Sequence, residues 1–174
     1  SAILGGKPLF QLTLEAAVES GVFDKVVLSS DSASILRYAS ELGYTGLVTD
    51  HRATHLAADQ ATAAEVLIDY LIREQRAGVE YDTCAILLPT SPFRSERDIV
   101  QANALLKEGV DSVVSMQVSH QLPQFLYVRS DQGLALPSCR ADAEMARATR
   151  TQDNPTYFYP NGAIYLAKTQ AFLT

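Results

Sequence analysis

The sequence predicts an α/β domain in which a largely parallel sheet is flanked by helices. Short apolar runs of strand length alternate with segments whose apolar residues recur at helical spacing. Short connections rich in Gly, Pro, Ser and Asp separate these segments, and such alternation is typical of right-handed βαβ units. The length of 174 residues suits a single domain over residues 1–174, which buries roughly 70% of its unfolded surface.

The first elements predicted are a helix, a strand and a second helix. Gly5 to Pro8 indicates a turn, and the apolar residues that follow it up to Gly21 are spaced as in a helix. Val26 to Leu28 is a β-branched run that is typical of a strand buried on both faces. Asp31 or Ser32 is placed to cap the helix that follows.

Two further strand–helix pairs come next. Leu47-Val48 is a short strand, followed after a polar stretch by a helix from Ala61 to Gln75. Cys84 to Leu88 is a buried strand that ends in Pro-Thr-Ser-Pro. Ser95 and Asp98 then have the spacing of a capping box for a helix that ends before Gly109.

The pattern changes after a strand predicted at Ser112 to Met116. Phe125 to Val128 and Leu134 to Leu136 flank a Ser-Asp-Gln-Gly turn and predict a β-hairpin. Ala163 to Leu166 is a last strand. We interpret residues 117–160 as an excursion from one domain.

Composition excludes several classes of protein. Fourteen Lys+Arg against 20 Asp+Glu leave a net charge of −6, which argues against a general nucleic-acid binder. No apolar run approaches the ~20 residues of a membrane span, and Ser1 to Pro8 lacks the features of a signal peptide. Cys84 and Cys139 are too few for a disulfide framework or a zinc site. We therefore expect a cytoplasmic protein with no membrane or nucleic-acid partner.

Polar residues cluster where the predicted strands end, which is where open α/β sheets bind ligands. The four clusters are Ser29 to Asp31, Arg52 to Asp59, Pro89 to Arg94, and Arg150 to Asn161. Each also has a purely structural interpretation: a helix cap, a polar loop, a rigid turn, or a solvated face followed by a hairpin turn. His51 and His55 have no third ligand nearby in sequence and are interpreted as surface residues rather than metal ligands.

Taken together, the clusters favour binding of an anionic ligand. Hydroxyls and backbone N–H groups at a strand-to-helix turn suit ribose and phosphate, and the guanidinium groups of Arg52, Arg94 and Arg150 match phosphate and carboxylate. A Walker loop, a GxGxxG turn after a strand and a CxxC pair are all missing from the sequence. The residues by themselves predict an anion-binding α/β domain.

The order of these motifs resembles one family. The matching segments are Gly6 to Leu9, Phe23 to Asp31, Arg52 with His55 to Asp59, Leu87 to Arg94, Asp111 to Ser115, Arg150 to Gln152, and Pro160 to Tyr165. The PTSPFR and NGAIY elements are the most specific. With them the sequence resembles the acylneuraminate cytidylyltransferases, the CMP-sialic acid and CMP-nonulosonate synthetases.

The resemblance implies a GT-A-like (Rossmann-like) nucleotidyltransferase fold and a magnesium-dependent reaction. CTP and an acidic nine-carbon sugar of the sialic type give the CMP-sugar and pyrophosphate. It also implies a homodimer in which the excursion is a dimerisation element that reaches into the partner's site.

Residue by residue, the resemblance assigns a nucleotide side and a sugar side. On the nucleotide side are Arg52, Ala57, Ala58, Thr90 and Ser91. On the sugar side are Leu88, Arg150, Gln152, Tyr159, Asn161 and Tyr165. No catalytic base is identified, because Asp31 and Asp59 are more typical of a cap and a loop anchor.

Some expected features lie outside these residues, and alternatives stay open. Family members carry a glycine-rich triphosphate loop upstream and a pair of magnesium-binding aspartates downstream, so we expect the Mg²⁺ ligands outside this chain. Leu88 stands where sialic acid enzymes commonly have Gln, and Tyr159 where some have Arg, which leaves another acid sugar such as KDO as an alternative. A non-catalytic nucleotide-sugar-binding remnant and, more remotely, a phospho-acceptor receiver domain are alternatives of other classes.

Overall fold

The computed structural model describes residues 2–58, 60–123, 126–137 and 155–173. The chain folds into two compact units. The first unit comprises Ser1–Ser115 with Asn161–Thr174, and the second comprises Met116–Pro160.

Strands and helices alternate through most of the chain. In order, the elements are β1 (Ile3–Leu4), β2 (Lys7–Pro8), α1 (Leu9–Glu19), β3 (Val26–Ser30), α2 (Ala33–Glu41), β4 (Leu47–His51), a 3₁₀ turn (Thr54–Leu56), α3 (Ala63–Arg76), β5 (Thr83–Ile86), α4 (Glu96–Leu105), β6 (Ser112–Val118), β7 (Tyr127–Arg129), β8 (Ala135–Pro137), β9 (Phe158–Lys168) and α5 (Gln170–Leu173). No helix among the described residues is long and apolar enough to cross a membrane.

The predicted α/β fold is confirmed, with a parallel pair at its start. β3 and β4 are parallel, with Val26 opposite Leu47 and Ser30 opposite His51, and α2 forms the connection between them. β9 lies between β5 and β6 and runs antiparallel to β5. The sequence predicts β9 as a strand but does not indicate its direction, because direction depends on the course of the chain before it.

Helix α1 contributes to both apolar clusters of the first unit. Phe10 and Leu14 pack with Ala39 of α2 and with side chains of β3. Two residues further along, Ala16 packs with Ile99 and Ala102 of α4 and with side chains of β9. The helix therefore lies over both groups of strands, the β3–β4 pair and the β5–β9–β6 sheet.

A cavity of about 360 Å³ separates β3 from β5. Every residue from Val26 to Ser29 and from Thr83 to Ile86 lines it, together with side chains from α1 and α3. Successive residues of a strand point to opposite faces, so lining by consecutive residues means that the cavity borders the strand edges. Among the described residues, β3 pairs only with β4 and β5 only with β9, which leaves both of these edges open. β3 is for this reason half-buried along its length, although its sequence predicts burial on both faces.

The starts of β3 and β5 are joined through α3. The carboxylate of Glu74 accepts hydrogen bonds from Lys25 Nζ and from the Tyr81 hydroxyl. Lys25 Nζ also lies 5.3 Å from the centroid of the Tyr81 ring. These contacts raise the pKa of Lys25, first through the hydrogen bond to Glu74. The cavity is therefore bounded by a polar cluster at the start of its two strands.

Two helices begin at capping boxes. Ser95 and Asp98 form the predicted capping box of α4, with each side chain bonded to the other residue's backbone N–H. Thr62 and Glu65 form a second box at α3, which was not predicted from the sequence. Ser32 is the N-cap of α2, without a side-chain hydrogen bond to the helix backbone.

The second unit contains the predicted hairpin. β7 and β8 pair antiparallel with Val128 opposite Leu136. The turn is closed by hydrogen bonds from Ser130 N to Leu134 O (2.8 Å) and from Gly133 N to Ser130 O (2.9 Å). Gly133 has a φ of +81°, which glycine adopts without steric cost. Phe125, predicted as the first residue of the hairpin, lies outside the described residues.

Candidate functional site

Arg52 is held where β3 and β4 end side by side. Its Nη2 donates to the carbonyl oxygen of Ser29 at 2.7 Å, and its Nε lies 3.5 Å from Ser29 Oγ. Its backbone N–H donates to the carbonyl of Ser30 at 3.0 Å. The parallel register places Ser29 opposite Asp50 on β4, which ends at His51 just before Arg52. The arginine is therefore positioned by backbone as well as side chain.

Asp50 organises the polar groups around Arg52. Its side chain is 8% exposed and accepts a hydrogen bond from the Ser29 hydroxyl at 2.7 Å. Arg73 of α3 donates to both of its oxygens, at 2.9 and 3.2 Å, and reaches Asp69 at 2.8 Å. Burial alone raises the pKa of Asp50, but the bonds from Arg73 and Ser29 and the charge of Arg52 outweigh it and hold the pKa below 3.8.

This network decides which carboxylates are available for chemistry. Asp50 is ionised and already paired, so it serves as an anchor rather than as a general base. The Asp31 side chain is exposed, and Asp59 lies outside the described residues. In the described ranges, no group of three His, Cys, Asp or Glu side chains is placed to hold a metal ion.

A second cluster joins the turn after β5 to the start of β9. Ser91 N donates to the carbonyl of Leu88 at 3.3 Å, and the Ser91 hydroxyl donates to the carbonyl of Asn161 at 3.2 Å. Gly162 adjoins this contact with a φ of +78°. A Cβ at Gly162 would lie 3.2 Å from Leu88 Cδ1. The close approach of the two segments and the positive φ therefore favour glycine at this position.

Ser115 of β6 fixes the other side of Asn161. Its hydroxyl lies 2.6 Å from Asn161 Oδ1 and accepts a hydrogen bond from Ile164 N at 2.8 Å. Ala163 N donates to the same Asn161 oxygen at 3.0 Å. The side-chain oxygen of Asn161 is thus held by two donors.

Arg94 differs from the expectation that it faces an anion. The residue is only 7% exposed, and its Nη1 donates to the carbonyl oxygens of Ala163 (2.6 Å) and Leu88 (3.3 Å). Burial lowers the pKa of its guanidinium, against the opposing charge of Asp98. Its inward direction depends on carbonyl groups of two other segments, which the sequence pattern does not show.

The structure brings together part of the predicted site. Ser91 is hydrogen-bonded to both Leu88 and Asn161, and Leu88 and Arg52 line the same cavity. The other predicted residues are placed as follows: Ala57 half-buried and Ala58 exposed after the 3₁₀ turn, Thr90 exposed in the turn after β5, and Tyr165 on β9 opposite Ile86. Tyr159 belongs to the second unit, where it is exposed, while Arg150 and Gln152 lie outside the described residues.

Three residues that organise the site were not predicted from the sequence. Asp50 and Ser115 occupy strand positions, and Arg73 has only its spacing from Asp69 as a local signal. The pairing of Arg73 with Asp50 spans 23 residues. Such a pairing follows from the packing of α3 and has no signature in a short segment.

The relatives of this chain share almost its whole length. It is 33% identical over 173 residues to the N-acylneuraminate cytidylyltransferase of Streptococcus agalactiae serotype V, covering 98% of this chain and 39% of that protein. It is 34% identical over 166 residues to the CMP-N,N'-diacetyllegionaminic acid synthase of Legionella pneumophila, covering 95% of this chain and 68% of that protein. The chain therefore spans about two fifths of the length of the streptococcal relative.

Solved structures share the fold at low sequence identity. A CMP:2-keto-3-deoxy-manno-octonic acid synthetase complexed with CTP matches 99% of this chain and 68% of its own, with a TM-score of 0.66 and 15% identity. The 4-diphosphocytidyl-2C-methyl-D-erythritol synthase of Anaerococcus prevotii matches 97% of this chain and 63% of its own, with a TM-score of 0.63 and 14% identity. The fold is thus the α/β fold of these nucleotidyltransferases. The sequence profile of the family described as cytidylyltransferase matches residues 2–158, and the chain belongs to that family.

Proposed function

We propose that this chain is part of a cytidylyltransferase that joins CTP to a nonulosonic acid, giving the CMP-sugar and pyrophosphate. The observation that carries the proposal is the position of Arg52. Its guanidinium is anchored at the end of the parallel pair, on the cavity that Leu88 and Pro89 also line. The names of the relatives, a sialic acid and a legionaminic acid enzyme, supply the sugar class.

The reaction exchanges one bond to phosphorus for another. The anomeric oxygen of the sugar bonds to the α-phosphorus of CTP, and the bond from that phosphorus to the pyrophosphate oxygen breaks. Arg52, Ala57, Ala58, Thr90 and Ser91 are proposed to contact the nucleotide. The proposed sugar contacts are Leu88, Arg150, Gln152, Tyr159, Asn161 and Tyr165.

Magnesium is proposed as the cofactor, with ligands beyond these residues. The Asp50 carboxylate, which feels the charge of Arg52, is already bonded to Arg73 and Ser29. A metal would neutralise phosphate charge when bound. Chelation is expected to stop pyrophosphate release and to leave the hydrogen bonds around Asp50 in place.

We also infer that the complete protein fills the cavity between β3 and β5 with an extended segment. Two open strand edges face this cavity, and buried backbone groups need hydrogen-bond partners. Helix α1 lies over both groups of strands, as a crossover helix does when a strand precedes it. This supports the expectation that the triphosphate loop lies outside the 174 residues.

A cytoplasmic homodimer is the proposed state of the protein. Its second unit exposes several large apolar side chains, among them Tyr127, Val128, Leu136 and Phe158. Exposed apolar groups concentrated in one region are typical of an interaction surface. The net charge of −6 supports a protein without a nucleic-acid partner.

Pyrophosphate release tests the proposal in the complete gene product that contains this chain. We expect release from CTP with at least one acid of a panel of sialic, legionaminic and pseudaminic acids and KDO. Arg52→Met is expected to raise the KM for CTP about tenfold or more, because it removes a charged hydrogen-bond donor. Arg37→Met, an exposed arginine on α2, is the matched control and should leave the KM unchanged.

Two outcomes separate the alternatives. Release with KDO alone assigns the other acid sugar. Absence of release across the panel contradicts the proposed reaction, and tight binding of a CMP-sugar by such an inactive protein indicates a binding remnant.

A further inference from the structure

Two segments that carry proposed site residues meet although they are far apart in sequence. Leu88 and Ser91 follow β5, whereas Asn161 to Ala163 lie on β9. The Ser91 hydroxyl reaches the Asn161 carbonyl across 70 residues of sequence. A single exposed hydrogen bond of 3.2 Å is a weak connection by itself.

The side chain of Arg94 spans the same junction from inside. Its Nη1 carries two hydrogens, and the acceptors are one carbonyl from each segment, Leu88 O and Ala163 O. Arg94 directly precedes Ser95, whose capping box with Asp98 begins α4, and its backbone N–H donates to the carbonyl of Ser91 at 3.4 Å. The bridge between the two segments therefore starts next to a capped helix N-terminus.

We propose that Arg94 is a positioning residue, which fixes the separation between the Leu88–Ser91 turn and the Asn161–Ala163 segment. The proposal deepens the function proposed above and rests on it for its catalytic consequence. Arg94 acts through these two segments and does not itself touch substrate.

The charge state of this bridge argues for a role beyond packing. Among the described residues, Arg94 has no ion pair, and its Nε and Nη2 are buried without a hydrogen-bond partner. The charge of Asp98 compensates the buried guanidinium only in part, and burial of a guanidinium with unpaired donors is costly. The positive charge next to the Leu88–Ser91 turn instead favours an anionic ligand there, since electrostatic interactions are stronger in low dielectric.

A lysine at position 94 cannot reproduce both hydrogen bonds of Arg94. The planar guanidinium offers donors in a fixed fork, whereas an ammonium is a compact point charge on a flexible chain. Arg94→Lys is expected to keep the charge and one of the two carbonyl contacts. Arg94→Met loses the charge and both contacts.

Hydrogen exchange and steady-state kinetics on the complete gene product test the proposal together. Arg94→Met should speed amide exchange about tenfold in both residues 91–94 and residues 163–164, because both segments lose their common tether. It should raise the KM for the nucleotide or the acid sugar about tenfold. Arg94→Lys should give intermediate values. Arg97→Met is the matched control, because the Arg97 side chain is 87% exposed, and it should change neither readout.

Each result supports or overturns the proposal. Unchanged exchange, or faster exchange in only one segment, overturns the tether. Faster exchange in both segments with an unchanged KM overturns the positioning role. If Arg94→Met does not fold, Arg94→Lys is measured in its place by the same criteria. If the unaltered protein releases no pyrophosphate, the proposed function fails, while the exchange data still decide whether Arg94 joins the two segments.

Discussion

Asp50 determines the local charge at the end of β3 and β4. It bonds to Ser29, which in turn contacts Arg52, and it pairs with Arg73 through both oxygens. Removal of Arg73 would leave the buried Asp50 carboxylate without its charged partner, which is more costly than loss of a surface ion pair. We therefore expect Asp50 to influence both stability and the orientation of Arg52.

The lowered pKa of Asp50 predicts a defined pH dependence of stability. Because the pKa in the folded state lies below 3.8, the unfolded chain takes up the proton first as the pH falls. The contribution of Asp50 is thus fully present above the unfolded pKa, near 4, and is lost as the pH falls through the folded pKa. Asp50→Asn should remove this part of the pH dependence and cost about 2 kcal/mol of unfolding free energy at pH 7.

Urea unfolding of the complete gene product at pH 7 and at about pH 3.5 checks this prediction. Asp131→Asn, in the exposed hairpin turn, is the control and should follow the unaltered protein. An Asp50→Asn variant with the same pH dependence as the unaltered protein would contradict the role assigned to Asp50.

Site residues that belong to recognisable motifs could be predicted from the sequence. The residues that hold them in place through contacts could not. Arg52, Ser91 and Asn161 were identified because they lie in ordered motifs at strand ends. The inward direction of Arg94 and the bond of Ser115 to Asn161 depend on segments brought together by folding. Such contacts leave no local pattern, so the sequence predicted Arg94 as an anion ligand.

Elements with local determinants were the most predictable. The capping box at Ser95 and the turn of the β7–β8 hairpin are both present where the sequence indicates them. Local hydrogen bonds and backbone preferences determine both features. The antiparallel course of β9 is set by its neighbouring strands, and it was not predicted.

The β7–β8 hairpin leads to a prediction about dimerisation. Val128 and Leu136 lie directly opposite each other on one face and are 54% and 47% exposed. If this face contacts a second copy, Val128→Glu should convert the dimer to a monomer, because a buried unpaired carboxylate is costly.

Size-exclusion chromatography with light scattering measures this change of mass. Arg129→Glu, whose neighbouring position places it on the opposite face, is the matched control and should remain dimeric. A monomeric unaltered protein, or a Val128→Glu variant that stays dimeric, would rule out this face as the dimer contact.

At the scale of the whole molecule, the cavity between β3 and β5 leads to a prediction about amide hydrogen exchange. An extended segment that pairs with both strands would protect their amides from exchange. The complete gene product should therefore exchange at least about tenfold more slowly in residues 26–30 and 83–86 than the isolated chain of 174 residues.

The β7–β8 hairpin provides the internal reference for this comparison, because its pairing is complete within itself. Its exchange should be similar in both proteins. Equal exchange of β3 and β5 in the two proteins would show that nothing pairs with the open edges.

Nucleotide selectivity is the decisive property for the proposed function, because it reports what the whole molecule binds at the end of its parallel strands. The measurement is kcat/KM for pyrophosphate release by the complete gene product with CTP, UTP, GTP or ATP, each with the acid sugar it uses best. We predict that CTP exceeds each of the others by at least about a hundredfold. Equal use of UTP or ATP, or no release from CTP, would contradict the proposal that this chain is part of a cytidylyltransferase acting on an acid sugar.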